Sequence, residues 1–163
     1  MTSLFESTGT QVISRRRWLA ALAAGAMAQT AWATTTSKPT VEVWKDPNCG
    51  CCKDWVVHLE QNGFAVRVFD TGNAQTRQRL GVPENLGSCH TAQVGAYAIE
   101  GHVPAQDIVR LLREKPKAVG LAVPGMPVGS PGMDGAVYKG RKDPYDVLLI
   151  AKSGATTVFQ SYR

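Results

Sequence analysis

The 163-residue chain has little of what most functional classes require. Charged residues make up 19% of it and are scattered, so the formal net charge of +5 forms no Lys/Arg block interleaved with aromatics. That pattern argues against a nucleic-acid-binding surface. The one extended apolar run, from Trp18 to Ala28, is shorter than the ~20 residues needed to cross a bilayer as a helix. No internal repeat is present, which removes solenoids and propellers. A Gly-rich phosphate loop, a Ser/His/Asp set and a paired-carboxylate signature are also missing, so nucleotide binding and the common hydrolytic mechanisms have no support. Sulfur is sparse as well: four cysteines and four methionines, with Met1 and Met27 both in the first 33 residues. Its placement is what carries information.

Three of the four cysteines lie in Asp46-Pro47-Asn48-Cys49-Gly50-Cys51-Cys52-Lys53. An apolar, strand-like Val41-Glu42-Val43-Trp44 precedes them, and a helix-like Trp55-Val56-Val57-His58-Leu59 follows. Thiols on a turn between a strand and a helix start form a reactive loop, because the partial positive charge of a helix N-terminus favours thiolate, the form that attacks and ligates. Neighbouring Cys51 and Cys52 are poorly placed for a mutual disulfide. Convergent thiolates suit a soft metal such as Cu(I).

Residues 1–33 read as an export signal. Ser14-Arg15-Arg16-Arg17-Trp18-Leu19 supplies a basic n-region, an Ala-rich apolar run follows, and Ala31-Trp32-Ala33 supplies a small-residue cleavage site. The Arg-Arg-x-aromatic-Leu order resembles the bacterial twin-arginine signal. Cleavage there predicts a mature chain of residues 34–163 with 15 basic and 12 acidic residues, a charge of +3. Its length suits one domain. Residues 34–39 read as a leader and 40–163 as the folded domain, with no membrane anchor left after cleavage. In an oxidising compartment four cysteines ordinarily mean disulfides. Crowding three of them into four residues points instead to metal or redox chemistry.

The domain alternates. The pattern predicts a strand over 40–45, a helix over 51–61 stopped by Asn62-Gly63, and a strand over 64–69. A short helix over 74–80 follows, then a hairpin of 91–94 and 97–100 about Gly95-Ala96, and a helix opening after Val103-Pro104 and ending before Pro116. Segments 145–151 and 156–161 form a terminal hairpin, expected to extend the sheet and hold the preceding Met-bearing loop across the cysteine end. The fold class is α/β, a small sheet with flanking helices.

Strand, cysteine turn, helix, hairpin and last helix together resemble the thioredoxin/glutaredoxin fold. The motifs resemble more specifically the CopG-type periplasmic copper-resistance proteins. They are Asn48-Cys49-Gly50-Cys51-Cys52-Lys53, Ser88-Cys89-His90-Thr91, Glu100-Gly101-His102-Val103-Pro104-Ala105 and Gly120-Leu121-Ala122-Val123-Pro124-Gly125-Met126-Pro127. Gly129-Ser130-Pro131-Gly132-Met133 and Asp143-Pro144-Tyr145-Asp146-Val147 continue it, so it spans nearly all of the mature chain. The resemblance implies copper binding on a thioredoxin-like scaffold, a redox role, a periplasmic location, and copper ions with other periplasmic copper-resistance proteins as partners. The chain departs from thioredoxins in carrying Cys-x-Cys-Cys and in placing Cys89-His90-Thr91 where they carry a cis-proline. Cys89 would therefore face the cysteine loop.

The expected metal set is Cys49, Cys51, Cys52 and Cys89, with Met126, Met133, His90 and His102 as further candidates. Methionines in Pro/Gly frames are poorly placed to fill a core gap, and a thioether suits Cu(I) without deprotonation. His90 either ligates or points the other way along its strand. His102 is either a ligand or a turn residue. His58, about 10 Å along the helix from Cys51 at the standard rise, reads as a surface residue outside the first shell. So many sulfurs suit a polynuclear Cu(I) cluster as well as a single ion. A disulfide joining Cys51 or Cys52 to Cys89 is the expected oxidised form. A metal-free thiol-disulfide oxidoreductase or isomerase is the alternative.

Overall fold

The first strand, β1 (Thr40–Lys45), alternates exposed or half-buried positions with Val41, Val43 and Lys45, all buried. The computed structural model describes residues 37–163. The export signal, its cleavage site and the start of the leader lie outside the described residues, and Ser37–Pro39 are exposed and irregular. Helix α1 (Gly50–Gln61) follows, then β2 (Ala65–Phe69), α2 (Ala74–Arg79), a 3-10 turn (Glu84–Leu86), β3 (His90–Val94) and β4 (Tyr97–Glu100). Next come α3 (Ala105–Glu114), β5 (Ala118–Ala122), a 3-10 turn (Ala136–Tyr138), β6 (Tyr145–Ala151) and β7 (Thr156–Tyr162).

All seven strands join one sheet in the order β2-β1-β3-β4-β5-β6-β7. β1 and β2 are parallel, as are β4 and β5, and the other neighbours are antiparallel. The helical connections explain this, because a parallel pair needs a long crossover and α1 and α3 provide one each. The fold is thioredoxin-like α/β, as expected. α1 buries Cys52, Trp55 and Leu59, and α3 buries Ala105, Asp107, Ile108 and Leu111. These spacings of one to four residues keep each set on one helix face. Val41, Val43, Ala92, Ile99 and Leu121 meet Trp55, Leu59, Ala105, Ile108 and Leu111 in a single core cluster.

Strand β5 is absent from the sequence reading. Ala118-Val119-Gly120-Leu121-Ala122 is short, built mostly of small residues and interrupted by glycine, so it carries weak strand propensity. Gly120 is there for packing: a Cβ at this position would lie 2.6 Å from the Ala98 carbonyl carbon. The register also shifts between Ala118 and Gly120. Tertiary pairing imposes the strand, and through it the β6–β7 hairpin joins the sheet. No helix among the described residues is long and apolar enough to cross a membrane.

Candidate metal centre

Strand register builds the site. β1 and β3 pair antiparallel with Lys45 opposite His90 and Trp44 opposite Thr91. The chain leaving β1 and the chain entering β3 therefore lie side by side, which sets the cysteine turn against Cys89. β3 and β4 pair with Thr91 opposite Glu100, and the Gly101 amide donates to the His90 carbonyl at 3.0 Å, so His102 arrives at the same end. Three chain segments remote in sequence deliver their donors to one place.

Cys49 is the N-cap of α1, with extended backbone and no side-chain capping bond. The sulfurs of Cys49, Cys51, Cys52 and Cys89 all lie within 4.8 Å of one another. Cys51 Sγ is 3.6 Å from Cys49 Sγ and 3.9 Å from Cys89 Sγ. Cys49 and Cys52 are joined by a disulfide, with Cα atoms 5.4 Å apart, while Cys51 and Cys89 are free. The bridge present thus lies within the turn and is not the expected one to Cys89. Within Cys-x-Cys-Cys the outer cysteines keep a Cys-x-x-Cys spacing, and the first helical turn places residues three apart within the Cα range a disulfide needs.

Cys89 shares a second cluster with His90 and His102, whose ligating atoms also lie within 4.8 Å of one another. His102 Nδ1 donates to the Pro131 carbonyl at 2.8 Å, leaving Nε2 as the acceptor aimed at Cys89 Sγ, 3.1 Å away. An outer hydrogen bond of this kind fixes tautomer and ring orientation at metal sites. His90 Nδ1 is 3.4 Å from Cys89 Sγ, and its ring packs on Trp55 at 4.3 Å between centroids and edge-on to His102 at 5.1 Å. The His90 Nε2 is buried without a hydrogen-bond partner. Burial lowers the pKa of His102, and it lowers that of His90 much further, helped by the adjacent His102 and Lys45. Burial, with Cys51 alongside, pushes the Cys89 thiol up to about 12. Without a partner cation, burial disfavours the charged forms of Cys89, His90 and His102.

A polar clamp holds the Cys89 backbone. The fully buried Glu100 accepts from the Ser88 amide at 2.6 Å, from Arg77 Nε at 3.0 Å and from the Thr91 hydroxyl at 2.6 Å. Arg77 Nη2 and Asn73 Nδ2 both donate to the Ser88 carbonyl, at 2.7 and 3.1 Å. Burial raises the Glu100 pKa while these donors oppose the shift. The sequence reading missed Arg77, Asn73 and Glu100 as supports of the site, and Glu100 was visible only as part of the motif containing His102.

The methionines part company. Met126 is half exposed on the rim of a cleft of about 420 Å³ that Cys89, Ser88 and Arg77 also line. Met133 is buried, and its sulfur accepts from the Tyr138 hydroxyl at 3.3 Å. Between them, Pro131 and Gly132 bring the loop against His102 and the first turn of α1. His58 is not the surface residue expected. It is half-buried, and its Nε2 accepts from the Ala105 amide at 3.0 Å. The physical reason is the proline N-cap of α3, Pro104, which has no side chain able to satisfy the exposed amides of that helix's first turn.

The family described as "Protein of unknown function, DUF411" matches residues 86–133, which include Cys89, His90, His102, Met126 and Met133. Two solved structures of copper resistance protein CopG resemble the whole domain. Form 2 has 47% sequence identity and a TM-score of 0.71, covering 77% of this chain and 99% of that one. Form 1 has 48% identity and a TM-score of 0.70, with 77% and 98% covered. The chain belongs to the CopG copper-resistance family. No curated protein sequence matches it. Among the described residues, the CopG-family domain thus carries a sulfur and imidazole cluster able to hold a metal. That donor set is soft, it includes no carboxylate, and it leaves one buried imidazole nitrogen unpartnered. These features fit copper better than a hard cation.

Proposed function

We propose that the protein is an exported Cu(I)-binding protein of the bacterial periplasm, acting in copper resistance. Copper is its cargo, held by the thiolates of Cys49, Cys51, Cys52 and Cys89 together with His102. His90 and the rim residue Met126 are further ligands, and Met133 joins them after giving up its bond to Tyr138. The observation that carries this reading is the convergence of four sulfurs within 4.8 Å, with a tautomer-fixed imidazole 3.1 Å from one of them. The four cysteine sulfurs with the His90 and His102 imidazoles are six soft or borderline donors, which exceed what a single Cu(I) requires and suit a polynuclear cluster. Residues 1–33 serve as the twin-arginine-type signal, and other periplasmic copper-resistance proteins are the partners for delivery.

The disulfide adds a redox side. Cysteines in a bridge do not ligate as thiolates, so reducing Cys49–Cys52 restores two ligands. In the opposite direction, the Cys49 and Cys52 thiols release two electrons and two protons and form their bridge, while two Cu(II) ions become Cu(I). Reduced, copper-free protein mixed anaerobically with Cu(II) should lose the Cu(II) paramagnetic signal and two free thiols together. Replacing Cys49, Cys51 and Cys52 together with Ser should abolish Cu(I) retention in a chelator competition and leave the far-ultraviolet circular dichroism intact. Full copper loading by that variant would overturn the assignment. The Cys49–Cys52 bridge also favours a second reading, thiol-disulfide exchange without metal. Insulin reduction at a thioredoxin-like rate by the copper-free protein would select it.

A further inference from the structure

Cys51 is the one free thiol that touches both ends of the cluster. Its sulfur is 3.6 Å from Cys49, half of the existing bridge, and 3.9 Å from Cys89, the other free thiol. Both separations are contact distances for two sulfur atoms, and thiol-disulfide exchange begins with a thiolate meeting a bridged sulfur. The bridge is also asymmetric: Cys49 is half-buried, whereas Cys52 is fully buried with its sulfur 3.6 Å from the Cys89 carbonyl. We infer that the four cysteines form an internal disulfide relay, in which Cys51 carries the bridge from Cys49–Cys52 to Cys51–Cys89.

The relay has two exchanges. Cys51 attacks Cys49, forming Cys49–Cys51 and releasing Cys52. Cys89, passing its proton to the His102 Nε2 that lies 3.1 Å away, then attacks Cys51, forming Cys51–Cys89 and releasing Cys49. Each exchange breaks one S–S bond and forms another. The protons given up by Cys51 and Cys89 are regained by Cys52 and Cys49, so no electrons enter or leave. Two thiols and one disulfide are present at the start and at the end.

The positions of those thiols differ, and that gives the relay a function. With the bridge at Cys49–Cys52, the free pair is Cys51 and Cys89, beside His102. With the bridge at Cys51–Cys89, the free pair is Cys49 and Cys52 at the start of α1, and the turn is tied covalently to the start of β3. The position of one disulfide therefore decides which two sulfurs can take a soft cation. This deepens the proposed redox role at the same site, and it rests on that reading only for its use, because the exchange needs no copper.

Trypsin makes the two states easy to separate. Cys49, Cys51 and Cys52 share the peptide 46–53, and Cys89 lies alone in 80–110. Reduced copper-free protein is oxidised with one equivalent of diamide, aged, acid-quenched, alkylated, digested and read by mass spectrometry. The expected result is two populations, one with a bridge inside 46–53 and one with 46–53 linked to 80–110. Cys49→Ser should make the linked pair the main product. Cys51→Ser, checked against Cys51→Ala and by near-ultraviolet circular dichroism, should lose it. Absence of the linked pair from the wild-type chain, or its persistence in both Cys51 variants, would overturn the relay. Chelator competition on the fully reduced protein, which contains no bridge, reports separately on whether the copper reading fails.

Discussion

Gly132 offers the sharpest test of how the methionine-bearing loop supports the site. Its φ is +84°, and a Cβ there would lie 2.6 Å from the Cys51 carbonyl oxygen, 2.8 Å from the Trp55 amide nitrogen and 3.3 Å from His102 Nδ1. The first two are backbone atoms of α1 and cannot rotate away. Gly132→Ala therefore incurs two costs. Holding a non-glycine residue in the left-handed region costs about 1–2 kcal/mol. Forcing a methyl group into a filled contact costs a further ~1–3 kcal/mol. The expected loss of stability is about 2–5 kcal/mol, taking the two as additive. If the loop lifts to relieve the clash, the Pro131 carbonyl moves off His102 Nδ1, and the imidazole loses the bond that fixes its tautomer. Cu(I) affinity then falls as well. Gly135→Ala is the control, since Gly135 has an ordinary φ of −63° and nothing within 4 Å of its would-be Cβ. Urea unfolding of the reduced, copper-free protein measures both variants. A loss for Gly132→Ala below ~1 kcal/mol, or equal to that of Gly135→Ala, would refute the packing argument.

Arg77→Met should cost about 3–5 kcal/mol at neutral pH, because it leaves the Glu100 carboxylate buried without its cation. Combining it with Glu100→Gln should recover part of that loss, as a double-mutant cycle in denaturant would show. His90→Leu removes the unpartnered buried Nε2, so copper-free stability should hold or rise while Cu(I) retention falls; a stability loss above ~2 kcal/mol would mean that the nitrogen is satisfied after all. Acidification should destabilise the copper-free fold, since burial holds His58, His90 and His102 below their ordinary value of 6.5. Groups with lowered folded values contribute stability above 6.5 that is lost as pH falls from there towards those values. Glu100 and Asp107, raised by burial, act in the opposite sense and offset part of the loss. The urea midpoint should be lower at pH 5.5 than at 7.5, and His58→Gln should reduce the difference; an unchanged or rising midpoint would refute the sign.

What the sequence determined by itself was mostly local. β1, α1, β2, the β3–β4 hairpin, α3 and the last hairpin were readable because each has its own periodicity and its own stop signal, such as Asn62-Gly63 or Pro116. The cysteine cluster and the family motifs were readable because they are contiguous. The tertiary structure decided the rest. β5 exists because β4 and β6 offer hydrogen-bonding partners on either side, with Gly120 against Ala98, and no propensity in Ala-Val-Gly-Leu-Ala announces that. His58 became the acceptor for Ala105 only once α1 lay beside α3. The choice of Cys49 and Cys52 as the bridged pair depended on the N-cap geometry of one helix turn, whereas the sequence pointed to a bridge from Cys51 or Cys52 to Cys89. Glu100, Arg77 and Asn73 acquired their common task at Ser88 when α2 came to lie at the head of β3. Period and punctuation are properties of neighbours along the chain. Register, burial and the convergence of donors depend on residues far apart in sequence, and only the folded chain brings those together.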